Sequence, residues 1–172
     1  MPLSMHQATI PALQRGLGVL SSLLDKGAAF AAETGLDPAM LVQARLAPDM
    51  LTLTGQVQRA SDTAKFAAER LAGFPSPRFP DEEASVDDLQ ARIQATTNFL
   101  QSVPPAQFEG SEARNIVFGP PSSPMTLPGA EYLLGFALPN FYFHVTTAYG
   151  ILRHLGVPVG KRDFLGPLGA RN

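Results

Sequence analysis

"GFPSPRFPDEEA" occupies positions 73–84, and its reading decides how the rest of the chain can fold. Gly73, Pro75, Pro77 and Pro80 fall within its first eight residues, so it cannot continue a helix. An apolar pattern stands on each side of it. Before it, Leu53, Val57, Ala60, Ala64, Ala67 and Leu71 step by 4, 3, 4, 3, 4, which keeps one side of a helix apolar. The three alanines let a neighbouring helix approach closely, and Gly73 stands where a helix-ending glycine is expected. After it, Val86, Leu89, Ile93, Thr96, Leu100 and Val103 form another stripe, opened by Ser85 as N-cap with Asp88 at N3. A dozen extended residues reach roughly 40 Å. A helix of about 22 residues is roughly 33 Å long. The linker can therefore return along the helix and set its two flanking helices parallel, although a short hop with slack also fits.

Outward from this centre lie two more stripes. Ile10, Leu13, Leu17, Leu20 and Leu24 make the first, widened by Val19 and Leu23. Pro11 is awkward if that helix starts near Ser4, because it removes a backbone donor. Asp37 and Pro38 read as N-cap and N1 of a short helix through Leu46, and Asp49 as the cap of the helix that follows. Ala137, Phe141, His144, Ala148, Ile151 and Leu155 form the last stripe, ending before Gly156. The expected fold class is all-α, a four-helix bundle forming one domain over residues 1–172. Before the last helix, residues 104–128 should form a long loop or a small hairpin, because "RNIVF" and "MTL" flank "GPPSSP". The terminal "GKRDFLGPLGARN" should be extended or frayed, with Phe164 and Leu165 pinning it to the helices.

Composition narrows function mainly by exclusion. Charged residues make up 16% of the chain and the net charge is −2, with no basic run longer than Lys161–Arg162. A nucleic-acid partner is not expected. The chain has no cysteine, which rules out thiolate nucleophiles, zinc–thiolate sites and iron–sulfur clusters. No apolar run approaches the roughly 18 residues of a membrane span, and the first residues lack a signal-peptide pattern, so a cytoplasmic protein is expected. Neither "GxSxG", "HExxH", a Walker loop nor "GxGxxG" occurs. Chemistry is left to the histidines. His154 should serve the helix C-terminus and His6 a surface or cap position, while Arg59 and Asp62 read as solvated. Phe136, Phe141, Tyr142 and Phe143 encircle the last helix, so the 104–128 loop or a second subunit is needed to cover them.

Three segments together carry a resemblance: "LSMHQATIPALQRGLGVLSSLLDKG" (3–27), "RLAPDMLTLTGQVQRASDTAKFAAERLAG" (45–73) and "NFYFHVTTAYGILRHLGVPVGKRDFLG" (140–166). They resemble a bacterial family of unknown function grouped with the DinB/YfiT-like metalloenzyme superfamily. The resemblance implies an up-down-down-up bundle, often dimeric. It also implies three metal-binding histidines, one from the second long helix and two at i and i+4 on the last, ahead of an "LRxLG"-like ending. That ending is "LRHLG" here, which carries the paired positions onto Asn140 and His144, and the remaining one near Gln56 or Gln58. Only His144 is a histidine, and an amide oxygen is a poor substitute for imidazole. No cofactor is therefore expected, with His144 the one remaining candidate for a divalent metal. His144, Asn140, Gln56, Gln58 and Thr147 are the candidates for a polar pocket that takes an unidentified small molecule. Against this stands a structural histidine, neutral and bonded to one of these groups. Two functions follow: a homodimeric module that has lost the metal, or a metal-dependent or small-molecule-transforming enzyme.

Overall fold

The structure is a computed structural model and describes residues 3–166. It is mostly helical. Helix α1 (Met5–Thr34) starts in a capping box, in which Ser4 Oγ accepts from the Gln7 amide and Gln7 Oε1 accepts from the Ser4 amide. It continues unbroken past Pro11 and stops at Gly35, whose φ of 74° is left-handed. Pro11 leaves the Gln7 carbonyl, in the first turn, without its helical donor. Buried Ile10, Leu13, Leu17, Leu20 and Leu24 hold the helix against its neighbours despite that loss.

Helix α2 (Pro38–Gln43) is shorter than the expected run to Leu46. Ala44 turns extended, and its carbonyl accepts from the Leu53 amide at 2.8 Å. That bond links the end of α2 to the start of α3 (Leu53–Ala72). Asp49 does not cap α3. Thr52 does, its hydroxyl accepting from the Gly55 amide at 3.2 Å, while Asp49 is exposed in the preceding turn. Helix α4 (Val86–Ser102) opens on the expected Ser85–Asp88 capping box.

The contacts between α3 and α4 ascend together. Gln58 meets Glu83, Asp62 meets Arg92, and Phe74 beyond the end of α3 meets Phe99 near the end of α4. Two helices running in the same sense require this order. The 73–84 linker returns along α3 to make it.

Residues 115–118 and 125–128 pair as an antiparallel ribbon, β1 and β2, with Ile116 opposite Leu127 and Phe118 opposite Met125. The chain is therefore not purely helical. Ile116 and Phe118 alternate inward against exposed Asn115 and Val117. The ribbon leads into a continuous run of helical turns: α5 (Gly129–Tyr132), a π-helical turn (Leu133–Ala137) and α6 (Leu138–His154). The last helix thus begins earlier than its apolar stripe suggests. Contacts from α6 descend along α3, from Gln56–His144 to Asn140–Thr63, so these two run in opposite senses. The tail expected to be extended or frayed instead forms α7 (Lys161–Leu165). Asp163 caps α7 by accepting from the Gly160 amide at 2.8 Å and pairs with Lys26 of α1 at 2.6 Å. Phe164 packs edge-on against Tyr149, and the rest of the tail lies outside the described residues. Among the described residues no helix is long and apolar enough to cross a membrane.

Candidate functional site

His144 sits on α6, where Phe141, Ala148 and Ile151 on its own face are fully buried. The histidine itself is half-buried, and its partner in the first turn of α3 is buried. Its Nδ1 lies 2.8 Å from Gln56 Oε1. The amide nitrogen of Gln56 donates to the Leu51 carbonyl at 3.3 Å, which turns the amide oxygen toward the ring. Nδ1–H therefore donates, and the neutral imidazole keeps its lone pair on Nε2. Burial, helped by the nearby positive charge of Arg59, pushes the His144 pKa below its ordinary value. The ring is neutral at pH 7.

The other pocket candidates do not gather around it. Asn140 donates to Thr63 Oγ1 at 2.8 Å, one turn and more along α3. Gln58 donates to Glu83 at 2.7 Å, on the side facing the linker. Thr147 donates to the Phe143 carbonyl of its own helix at 2.7 Å. The expected five-residue set is thus divided among three separate contacts and a helix backbone. Of the remaining histidines, His6 packs edge-on against Phe108, 5.4 Å between ring centres, and His154 is exposed in the last turn of α6.

A metal fits this arrangement poorly. The three positions implied by the resemblance hold one imidazole and two amides. The Nδ1 of the imidazole is already used, and the amide nitrogen of Asn140 is tied to Thr63. Among the described residues no group of three histidine, aspartate or glutamate side chains is placed to hold a metal ion.

The dominant polar cluster lies elsewhere, in the seam between α3 and α4. Arg92 is only 2% exposed and reaches Glu83 at 2.8 Å, Asp62 at 2.9 Å and Asp81 at 3.0 Å. It also donates to the Pro80 carbonyl at 3.2 Å. Lys65, 3% exposed, stands 3.4 Å from Asp62 and 4.6 Å from the centre of the Phe79 ring. Asp62 is therefore not solvated as expected. At 17% exposure it is shared by two buried cations, because the linker folds back over it, whereas Arg59 remains half-exposed. Burial alone would raise the Glu83 pKa, but hydrogen bonds from Arg92 and Gln58 outweigh it and hold the carboxyl below its ordinary range. Arg92 and Lys65 each follow an apolar stripe residue by one position or precede it by one, and that spacing was the only hint in the sequence that they are buried.

The fold matches the crystal structure of a DinB family member protein from Shewanella denitrificans with a TM-score of 0.89 and 37% identity, covering 98% of this chain and 95% of that one. The class is DinB-like. The chain belongs to the family described as a domain of unknown function, DUF1993, whose model matches residues 5–165. No curated protein matches it.

Proposed function

We propose that this protein is a DinB-like up-down-down-up four-helix bundle that works as a homodimeric module without a bound transition metal. The observation that carries this reading is the His144–Gln56 bond. It occupies the place where the superfamily resemblance expects imidazoles around a metal. The pair acts as a polar pin between α3 and α6 rather than as a ligand set. The bundle topology is supported by contacts that ascend together on α3 and α4 and run oppositely on α3 and α6. The homodimer is supported by apolar side chains left outside, Leu134 and Phe143 on the last helix among them.

The test is elemental analysis of the purified protein, with sedimentation at micromolar concentration. The reading expects no stoichiometric zinc, nickel or iron, and a dimer. About one metal per chain, lost in His144→Ala, overturns the metal-free part. A monomer overturns the dimer.

The second reading is an enzyme acting on a small molecule. One observation favours it: His144 Nε2 makes no hydrogen bond among the described residues and, in the neutral ring, can accept a proton.

A further inference from the structure

Beyond the His144 pair, α3 borders a separate pocket. It is a pocket of about 280 Å³ between the middle of α3 and the run from α5 into α6, with the β1 end of the ribbon over it. Its volume falls at the small end for ligand sites, enough for one ring and a short substituent. Arg59, Thr63, Phe66 and Arg70 enter it from α3 at helical spacing. Tyr132, Phe136 and Asn140 enter from the other side. Between Tyr132 and Asn140 lies the π-helical turn 133–137. Such turns are rare and are often found at functional sites.

Two features of the lining point to a ligand chemistry. The first is an aromatic cluster. Phe118 lies 4.6 Å from Phe136 and 5.0 Å from Tyr132, ring centre to ring centre, and Phe66 faces them from α3 with part of its ring exposed. The second is Arg70. Its guanidinium donates to the Tyr132 hydroxyl at 3.0 Å and stacks near Phe66 at 5.2 Å, but among the described residues no carboxylate pairs with it. Burial, partly offset by Arg70, holds the Tyr132 pKa above its ordinary value, so its hydroxyl keeps its proton and cannot neutralise the arginine. Asp62 also borders the pocket, but Arg92 and Lys65 already balance its charge. Arg59 touches Asp62 and Asp81 only at 3.4 Å, so a second cation stands loosely at the rim. A half-buried planar cation without an acid, beside the exposed Phe66 ring and the partly exposed Phe136, suits a planar anion that presents a carboxylate and a ring together.

We propose that this pocket binds a small aromatic carboxylate. Arg70 holds the carboxylate through its guanidinium fork, and Phe66 and Phe136 take the ring, with Phe118 packed behind Phe136. The site does not depend on the metal-free reading of His144, so the two fail separately.

The experiment is an NMR titration of the ¹⁵N-labelled full chain with benzoate, with benzamide and with acetate. The expected result is saturable benzoate binding, with shifts centred on Arg70, Phe118 and Phe136 and affinity at least about tenfold above that of either other probe. Arg70→Gln should abolish the preference for benzoate over benzamide, and Arg70→Lys should retain part of it. Phe136→Leu should weaken benzoate and benzamide together while leaving acetate unchanged. If Arg70→Gln unfolds the protein, the comparison of the three probes on the unaltered chain still decides. Absence of saturable benzoate shifts up to about 10 mM overturns the proposal. So does equal affinity for benzoate and benzamide, or binding mapped to another face.

Discussion

Two polar seams share helix α3. One joins it to α4 through Arg92, Asp62, Glu83 and Lys65, and the other joins it to α6 through His144 and Gln56. The first is buried, charged and several bonds deep. The second is half-buried, neutral and one bond wide. The strongest electrostatics in this protein therefore serve its architecture, since they hold the returning linker, and not the place where the superfamily resemblance expects chemistry. Charge buried among aromatic and aliphatic groups is costly unless opposite charge meets it, and three carboxylates meet Arg92 here, although its Nε is left without a partner. A neutral amide–imidazole pair has no such demand and tolerates a wet edge.

The sharpest way to break this contrast is Arg92→Met. Removing the cation leaves Asp62 and Glu83 facing each other without their main partner, and breaking a buried charge pair typically costs about 3–5 kcal/mol. Urea denaturation should show a loss of that order, with linker amides around Phe79 exchanging faster. A loss below about 1 kcal/mol would mean that the linker is held by packing alone.

Next in size is Thr96→Val. Ser61 and Thr96 hydroxyls lie 2.7 Å apart, and Thr96 in turn donates to the Arg92 carbonyl at 2.8 Å, so Ser61 is the donor between them. Valine keeps the shape and strands a buried hydroxyl, for a cost of about 1–3 kcal/mol. An unchanged midpoint would show that Ser61 finds another acceptor.

His144→Leu should cost less, about 1 kcal/mol, because a single neutral hydrogen bond is lost and the ring that makes it is only half-buried. A cost equal to that of Arg92→Met would erase the distinction between the seams. A gain in stability would favour a ligand or catalytic role for the histidine instead.

The smallest effect is in pH. The folded-state pKa of His144 lies below its ordinary value of 6.5. Folding thus disfavours the protonated ring. The contribution of the neutral pair is complete above pH 6.5 and is lost as pH falls below it. The difference in Tm between the unaltered protein and His144→Leu should accordingly narrow from pH 8 toward pH 5. A difference that widens on acidification would mean the ring gains a proton and an acidic partner.

Much of this was readable without coordinates. The Ser85 cap, the Gly73 stop, the ribbon around "GPPSSP" and the crossover length of the linker follow from residues within a few positions of one another. The sequence leaves the partner of His144 open among Asn140, Gln56, Gln58 and Thr147, and Gln56 is the one bonded. The choice of Asp49 as a cap failed because Thr52, three positions nearer the helix interior, has its hydroxyl on the Gly55 amide. The tail was read from its glycines and prolines, which gave no weight to Lys26, 137 positions away, that anchors Asp163 and with it α7.

Amphipathic spacing, caps and the shortage of functional motifs were determined by the sequence itself, because each depends on neighbours within one or two helical turns or on composition. Only the tertiary structure decided which polar residues meet. Asp62 and Arg92 are 30 positions apart, Asn140 and Thr63 are 77, and Arg70 and Tyr132 are 62. No local periodicity encodes those distances. They arise when apolar stripes close on one another, and whichever polar groups flank the stripes are carried inside, where the loss of water makes an unpaired group costly and favours the arrangement in which most of them meet.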